Sequence, residues 1–309
     1  MKILVTGGAG FIGSNLSLEL EKKGHTITIL DDFSSGTNTN LSNFQGTVIQ
    51  QNLADLSYQK LLKLSPDAIF HQAAITDTTV YDEKLMLAVN VSPMTPLLRY
   101  VEEKKKPLIY ASSAAVYGSA PSPQYEADAG KPLNIYGVSK WQCDCLVTDF
   151  LKKNPKSHVV GLRYFNVYGP REQNKGKMAS MIYQLAMQIM AGNKPRLFKW
   201  GQQKRDFVYV RDVVTANILA LEKGASGIFN VGSGKARSFN EVCSALFEAL
   251  GTKTEIEYFD NPYFGKYQDH TEASLDRTRT ALGYKSEWDL KAAVKDYARF
   301  LNTLPGAKN

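Results

Sequence analysis

Few of the side chains that form metal sites or disulfide frameworks occur in this sequence of 309 residues. It contains three cysteines and four histidines. Cys143 and Cys145 are two positions apart, a spacing that a helix sends to different sides, and an odd number of cysteines cannot all pair. The histidines show no metal-ligand spacing. We therefore expect no metal ion, and we expect a reducing, cytoplasmic environment.

Long apolar runs and a recognisable signal peptide are also absent. No run approaches the roughly 20 apolar residues that span a bilayer. The net charge of +7, from 37 basic and 30 acidic side chains, is mild and spread along the chain. The densest basic run, Lys104–Lys106, precedes Pro107 and an apolar strand, as is typical of a solvated helix end. The sequence thus predicts no membrane or nucleic-acid partner, and its mild positive charge suits a small polyanionic ligand.

The first thirty residues have the order strand, glycine-rich turn, helix, strand. Residues 1–6 predict a strand, 7–13 read Gly-Gly-Ala-Gly-Phe-Ile-Gly, 14–23 have helical apolar spacing, and 25–30 predict a second strand. Glycines at such a turn let the backbone approach a pyrophosphate at the helix N-terminus. The expected dinucleotide contacts here are Gly7, Gly10, Phe11, Ile12 and Gly13.

Two acidic residues, Asp31 and Asp32, end the second strand. A carboxylate there can bind an adenosine ribose hydroxyl and would repel a 2′-phosphate, which taken alone favours NAD over NADP. The following residues, 33–38, contain no lysine or arginine to bind that phosphate. The alternative is an acidic helix cap or turn.

Later strand ends add polar and small residues that are placed to line the same cleft. Asp55 follows a third predicted strand, where it can reach the adenine or cap a helix, and the two roles are compatible. The small residues that end the strand at 68–74 leave room for a cofactor, and Asn90 matters only if it faces the sheet from the predicted helix 85–101. The further expected cofactor contacts are Asn38, Asn52, Leu53, Gln72, Ala73, Ala74, Thr76, Asn90, Lys140 and Val167.

Tyr136 and Lys140 form the candidate catalytic pair. They are four residues apart on a predicted helix to about Lys153, so they share a face, and Ser113 ends a fifth strand nearby. An ammonium beside a phenol lowers the phenol's pKa from about 10, and a serine hydroxyl can bind the same substrate oxygen. This set can remove an alcohol proton while a hydride leaves the carbon. The alternative is an exposed helix face.

The order of strands and helices predicts an α/β protein with a Rossmann-type doubly wound parallel sheet. Six strands alternate with helices up to residue 170, and the motifs fall at their carboxyl ends, where ligands bind in such sheets. Beyond residue 171 the pattern changes to a helix at 178–190, short strands and further helices. We predict a nucleotide-binding domain at 1–170, to which 207–233 returns, and a smaller mixed α/β, mainly substrate-binding domain at 171–309.

Several of these motifs together resemble the extended short-chain dehydrogenase/reductase family of nucleotide-sugar epimerases and dehydratases. They are Thr6–Gly13, the Ser113/Tyr136/Lys140 set, 163–172 with Arg-Tyr-Phe-Asn-Val-Tyr-Gly-Pro-Arg-Glu, and 205–210 with Arg-Asp-Phe-Val-Tyr-Val. The stretch 175–180, Lys-Gly-Lys-Met-Ala-Ser, is similar to the ADP-L-glycero-D-manno-heptose 6-epimerases of that family. The resemblance implies a tightly bound NADP or NAD, a nucleotide-diphosphate sugar substrate such as ADP-heptose, and a homo-oligomer.

The resemblance also implies roles for single residues. Tyr136 is one acid/base, Lys140 orients the cofactor and the phenol, Ser113 supports the substrate oxygen, and Lys175 is a second acid/base. Without the surrounding match, Lys175 would be interpreted as a surface lysine in a polar loop. The implied substrate contacts are Ser113, Asn166, Lys175, Lys177, Gln184, Phe198, Arg205 and Tyr267.

Three departures leave the sugar and the cofactor open. The heptose epimerases have serine at Lys177, histidine at Gln184 and, with NADP, lysine at Asn38. A UDP- or GDP-hexose 4-epimerase would need only Tyr136, and the match at Lys175 argues against it. A dehydratase would place acidic residues after Ser113, where the sequence has alanines. A non-catalytic NAD(P)-binding scaffold is the remaining alternative, because fold alone does not imply activity.

Overall fold

A seven-stranded parallel sheet forms the centre of the protein, whose computed structural model describes residues 1–260 and 270–304. The order β10-β6-β5-β4-β1-β2-β3 places the first strand near the middle, which confirms the predicted doubly wound sheet. In chain order the strands are β1 (Lys2–Thr6), β2 (Thr26–Asp31), β3 (Thr47–Gln50), β4 (Ala68–His71), β5 (Leu108–Ser113), β6 (Val159–Tyr164), β7 (Asn166–Tyr168), β8 (Arg196–Phe198), β9 (Lys204–Tyr209), β10 (Gly227–Val231), β11 (Ala236–Ser238) and β12 (Glu257–Phe259).

Helices cover both faces of this sheet because its strands are apolar on both sides. Ile3 and Val5 of β1 pack in one core with α1 and α7, whereas Leu4 between them packs in a second core with α2, α4 and α5. The helices are α1 (Phe11–Lys22), α2 (Tyr58–Leu64), α3 (Glu83–Asn90), α4 (Met94–Lys104), α5 (Ile135–Lys153), α6 (Met181–Met190), α7 (Val210–Glu222), α8 (Phe239–Leu250), α9 (Asp276–Leu282) and α10 (Leu290–Leu301). None of these helices is both long and apolar enough to cross a bilayer.

A third core lies beside the sheet, under two small sheets. One has the order β11-β9-β7 and the other pairs β12 with β8; side chains of α6, α8 and α10 complete the core. The chain then returns to the central sheet, because β10 pairs with β6 in parallel. This strand lies within the segment 207–233, whose first residues instead belong to β9 of a small sheet, and the division into domains stays a prediction.

Two predicted helices were wrong in extent. The predicted helix 85–101 is two helices, α3 and α4, which meet at Pro93. Proline has no backbone N–H and disfavours helical geometry in the residue before it, so the chain turns there. The helix predicted from residue 178 begins at Met181, where the Ser180 side chain accepts a hydrogen bond from Tyr183 N and so caps the helix.

Candidate active site

The glycine-rich turn after β1 is packed so tightly that side chains cannot enter it. Gly7 has a φ of 69°, and a Cβ there would lie 2.6 Å from the Cα of Ala73. A Cβ on Gly13 would lie 2.0 Å from the Gly7 carbonyl oxygen. Gly10 caps α1 without a side-chain hydrogen bond, so backbone N–H groups remain at the helix N-terminus. This bare turn fits the pyrophosphate of a dinucleotide.

Asp31 braces this turn from the end of β2. Its carboxylate accepts hydrogen bonds of 2.9 Å from the N–H groups of Ala9 and Phe33. Burial raises the pKa of Asp31, and the two hydrogen bonds oppose that rise. Asp32 accepts from the backbone and hydroxyl of Ser34. The pocket beside them has no basic residue in its lining of Phe33, Gly36, Thr37, Asn38, Val48 and Gln50.

Three predicted cofactor contacts are engaged with protein groups. Gln72 donates to Asn217 Oδ1 at 3.0 Å, and it accepts from the Tyr164 hydroxyl at 3.1 Å. Asn90 is fully buried and hydrogen-bonds both backbone groups of Ile75. These bonds shape the loop after β4. Asn52 caps the short turn at 53–55 by accepting from Ala54 N at 2.9 Å.

The remaining predicted cofactor residues lie around the carboxyl ends of the strands. Leu53 is buried, Ala73, Ala74 and Val167 are partly buried, and Asn38 and Thr76 are exposed. Direct contacts between these residues and a cofactor stay predictions.

Tyr136 and Ser113 meet because α5 begins against the turn that follows β5. Asn134 caps the helix by accepting from Gly137 N at 2.8 Å. A Cβ on Gly137 would lie 2.8 Å from the carbonyl oxygen of Ala115, so only glycine permits this close approach. Burial raises the pKa of Tyr136, and a hydrogen bond with the Ser113 hydroxyl opposes that rise. The phenol is therefore protonated near pH 7.

Lys140 lies one turn further along α5 and is buried. Its amine donates to the Ala111 carbonyl at 2.9 Å, and burial lowers its pKa. The expectation that the pKa of Tyr136 is lowered below its ordinary value is wrong, because burial raises that pKa and the hydrogen bond with Ser113 only opposes the rise. His71, which the sequence analysis missed, also responds to this lysine: burial and then the Lys140 charge lower the pKa of His71 to about 3. The imidazole is thus neutral near pH 7, with its Nδ1 2.7 Å from the Thr6 hydroxyl.

Lys175 lies in a short turn at 173–178 that approaches the start of α1. Its amine is 5.6 Å from the centre of the Phe11 ring, next to the glycine-rich turn. Burial lowers the pKa of Lys175, and the charge of Glu172 opposes that change. The side chain is partly buried, in contrast to the exposed Lys177 two residues later. This placement contradicts the alternative of a solvated surface lysine.

Glu172 holds the loop around Lys175 in place, and the sequence spacing gave no signal for it. The carboxylate is fully buried and accepts from Gly169 N at 3.0 Å, Ser180 N at 2.6 Å and the Tyr297 hydroxyl at 3.0 Å. Burial raises its pKa, and the backbone hydrogen bonds oppose that rise. Gln184 adds hydrogen bonds to the carbonyls of the same loop at residues 177 and 179.

Three of the predicted substrate contacts, Asn166, Phe198 and Arg205, lie on the small sheets. Asn166 on β7 accepts from the Thr271 hydroxyl at 3.4 Å, and the buried Arg205 on the adjacent β9 donates to the Lys204 carbonyl at 2.8 Å. Phe198 packs edge-on to Phe259 with ring centres 4.9 Å apart. The pocket at this place is lined by Met181, Arg196, Leu197, Phe198, Gln203, Phe239 and Phe259. Tyr267 lies outside the described residues.

Comparisons with known proteins agree with this geometry. The family model described as "NAD dependent epimerase/dehydratase family" matches residues 3–232. ADP-L-glycero-D-manno-heptose-6-epimerase of Helicobacter pylori is 40% identical, with 98% of this chain and 96% of that chain covered and a TM-score of 0.90. UDP-glucose 4-epimerase of Thermotoga maritima, solved with UDP-glucose, is 29% identical over 98% and 99% of the two chains, with a TM-score of 0.89. UDP-glucose 4-epimerase of Thermus thermophilus, solved with NAD, is 27% identical over 99% and 100%, with a TM-score of 0.86.

Proposed function

The chain belongs to the NAD dependent epimerase/dehydratase family, and from that premise we propose that it inverts C6 of an ADP-glycero-manno-heptose. It is an isomerase of the nucleotide-sugar epimerase type. The observation that carries the choice of reaction is the enclosed amine of Lys175, 5.6 Å from the Phe11 ring. A 4-epimerase that uses only Tyr136 has no need for a second titratable group at that place.

The two proposed acid/base groups, the Tyr136 phenol and the Lys175 amine, have pKa values shifted in opposite directions, and this difference suits an inversion. Burial raises the pKa of Tyr136, so the phenol rests as a proton donor, whereas burial lowers the pKa of Lys175, which moves its amine toward accepting a proton. In one direction Lys175 takes the proton from the C6 hydroxyl of one epimer. After the sugar turns over, Tyr136 returns a proton to the same oxygen presented on the opposite side. In the reverse direction the two groups exchange these roles.

The cofactor site supplies the remaining requirement. A bound nicotinamide would accept a hydride from the sugar carbon and return it to the opposite face. The bare turn at Gly7–Gly13 and the uncapped start of α1 would hold its pyrophosphate, with Asp31 beside the adenosine ribose. We assign Lys140, whose amine donates to the Ala111 carbonyl, to orienting the nicotinamide ribose and the phenol. We propose NAD as the dinucleotide because the pocket beside Asp31 has no basic lining residue.

The substrate side supports a nucleotide diphosphate. A guanidinium such as that of Arg205 suits phosphate oxygens, because its planar fork binds two of them at once. The aromatic pair of Phe198 and Phe259, with the Arg196 guanidinium 4.8 Å from the Phe259 ring centre, offers flat surfaces for a base. We assign Ser113, Asn166, Lys177, Gln184 and Tyr267 to the sugar and diphosphate as proposals. Self-association likewise stays a prediction.

The proposal is tested by supplying ADP-D-glycero-D-manno-heptose and UDP-galactose in parallel and identifying the products. We expect the heptose to be converted to its L-glycero epimer and UDP-galactose to be recovered unchanged. Conversion of UDP-galactose with no change in the heptose would instead support the 4-epimerase. If the protein binds the dinucleotide and converts neither substrate, the result would favour the non-catalytic NAD(P)-binding scaffold. Tyr136→Phe is the control that separates catalysis by this site from a contaminating activity.

A further inference from the structure

The loop that precedes Lys175 is tied to the start of the nucleotide-binding fold. Asn15 on α1 donates to the Pro170 carbonyl at 2.9 Å. Arg171 donates to Asn15 Oδ1 at 3.1 Å and to the Asn40 carbonyl at 3.2 Å. These groups are more than 130 residues apart in sequence, yet they form one continuous set of hydrogen bonds.

A second tie lies one residue before Lys175. Asn174 donates to the Thr37 hydroxyl at 3.0 Å. Thr37 and Asn40 both bond the Ala9 carbonyl of the glycine-rich turn, Thr37 through its backbone N–H at 3.1 Å and Asn40 through its side chain at 3.0 Å. We call Arg171 and Asn174, with their partners Asn15, Thr37 and Asn40, the clasp. Both ties lead back to the turn expected to hold the pyrophosphate.

Arg171 contributes hydrogen bonds to the clasp, and not an ion pair. Its backbone is in the left-handed region, with a φ of 75°, which residues other than glycine rarely adopt. Burial lowers its pKa, and none of the ion pairs within residues 1–260 and 270–304 includes it. A partly buried cation in a rare backbone conformation, hydrogen-bonded to neutral groups, is costly for stability alone, and such strain is concentrated where function requires a fixed geometry.

We propose that Arg171 and Asn174 are positioning residues. They couple occupancy of the pocket beside Asp31, which we call the adenosine pocket, to the placement of the Lys175 amine. Thr37 lines that pocket, and its hydroxyl accepts the hydrogen bond from Asn174. A bound dinucleotide that orders residues 36–41 therefore also orders residues 170–174. Coupling of this kind is reciprocal: a loop held in place also strengthens nucleotide binding. The proposal rests on the proposed function, because it assumes that Lys175 is the second acid/base.

The first test is amide hydrogen exchange in the NAD-loaded protein. In Asn174→Ala we expect residues 172–180 to exchange about two- to tenfold faster and NAD to dissociate more readily by a similar factor, as the loss of one neutral hydrogen bond predicts. Thr37→Val removes the same bond from the other side and also the bond that the Thr37 hydroxyl accepts from Asn40 N, so the double variant should not exceed Thr37→Val alone. The control is Asn193→Ala, an exposed asparagine in the turn after α6. Unchanged exchange at 172–180 in Asn174→Ala, or additive effects of the two variants, would overturn the proposal.

The second test separates the coupling from the function on which it rests. Asn174→Ala should lower kcat about two- to tenfold and leave KM for the nucleotide sugar nearly unchanged. Placed on a Lys175→Met background, the same substitution should have no further effect on single-turnover reduction of the bound nicotinamide by the C6 epimer that this background still oxidises, because its influence passes through that amine. A further loss on that background would overturn the coupling while leaving the function intact. A fully active Lys175→Met protein would overturn the function, and the hydrogen-exchange result would then still decide whether the loop responds to the nucleotide.

Discussion

Replacement of Glu172 by glutamine tests how the Lys175 loop is held. One carboxylate oxygen, Oε2, accepts from Ser180 N at 2.6 Å. The other, Oε1, accepts from Gly169 N at 3.0 Å, the Ser180 hydroxyl at 2.9 Å and the Tyr297 hydroxyl at 3.0 Å. Glutamine has the same shape but only one accepting oxygen, so its amide nitrogen must face a donor on one side.

The expected cost is about 2 kcal/mol of unfolding free energy. The loss of a charge-assisted hydrogen bond and the burial of an unpaired Ser180 N–H cost about 1.5–3 kcal/mol. Part of this is recovered, because the amide avoids the desolvation that raises the pKa of the Glu172 carboxyl. For a chain of 309 residues, about 2 kcal/mol corresponds to a fall in Tm of about 3 °C. We also expect a lower kcat, because the freed loop no longer fixes Lys175.

The assay is thermal denaturation of Glu172→Gln beside a matched control, Glu248→Gln. Glu248 pairs with Lys291 at 2.9 Å on the surface, where the two side chains are 64% and 70% exposed, so its Tm should not change measurably. If Glu172→Gln melts with the control and keeps the wild-type kcat, the buried carboxylate does not hold the loop and the reasoning is refuted.

Three further predictions follow from the same contacts. Lys175→Met should melt no lower than wild type at pH 7, because the lowered pKa of Lys175 means that its charge is less favourable in the folded than in the unfolded protein. The difference in Tm should shrink as pH rises through that lowered pKa. A lower Tm of the variant at every pH would contradict this. The pKa of buried His71 is about 3 against 6.5 when unfolded, so wild type should lose stability relative to His71→Asn as pH falls from about 6.5 toward 3; urea titrations in which the two proteins respond equally to pH would contradict this. Dinucleotide released from the protein should be NAD by mass spectrometry, since the pocket at Thr37 and Asn38 has no basic lining residue; a 2′-phosphate would contradict this.

The parts of the site that depend on local chain geometry were predictable from sequence. Gly7 and Gly13 lie within one strand-turn-helix unit, and the tight packing of its turn requires only that these two residues have no Cβ. Tyr136 and Lys140 share a helix face through their spacing of four. The carboxyl ends of parallel strands meet at one edge, which brings Ser113 to the same place.

The supporting groups were not predictable, because their partners are distant in sequence. Glu172 meets Tyr297 of α10, and Asn174 meets Thr37, over separations of 125 and 137 residues. No spacing rule connects such pairs. The pKa direction of Tyr136 was also missed, because it depends on how completely packing removes water from the phenol. The helix break at Pro93 was missed as well, although the sequence carries a signal for it, since the residue before a proline disfavours helix.

The central claim, that Tyr136 and Lys175 serve opposite sides of one sugar carbon, is tested most directly by single-turnover reduction of the bound nicotinamide with each C6 epimer separately. We predict that Lys175→Met abolishes reduction by one epimer and retains it with the other, and that Tyr136→Phe shows the reverse pattern. Lys175→Met protein that is reduced by both epimers at the wild-type rate would contradict the account.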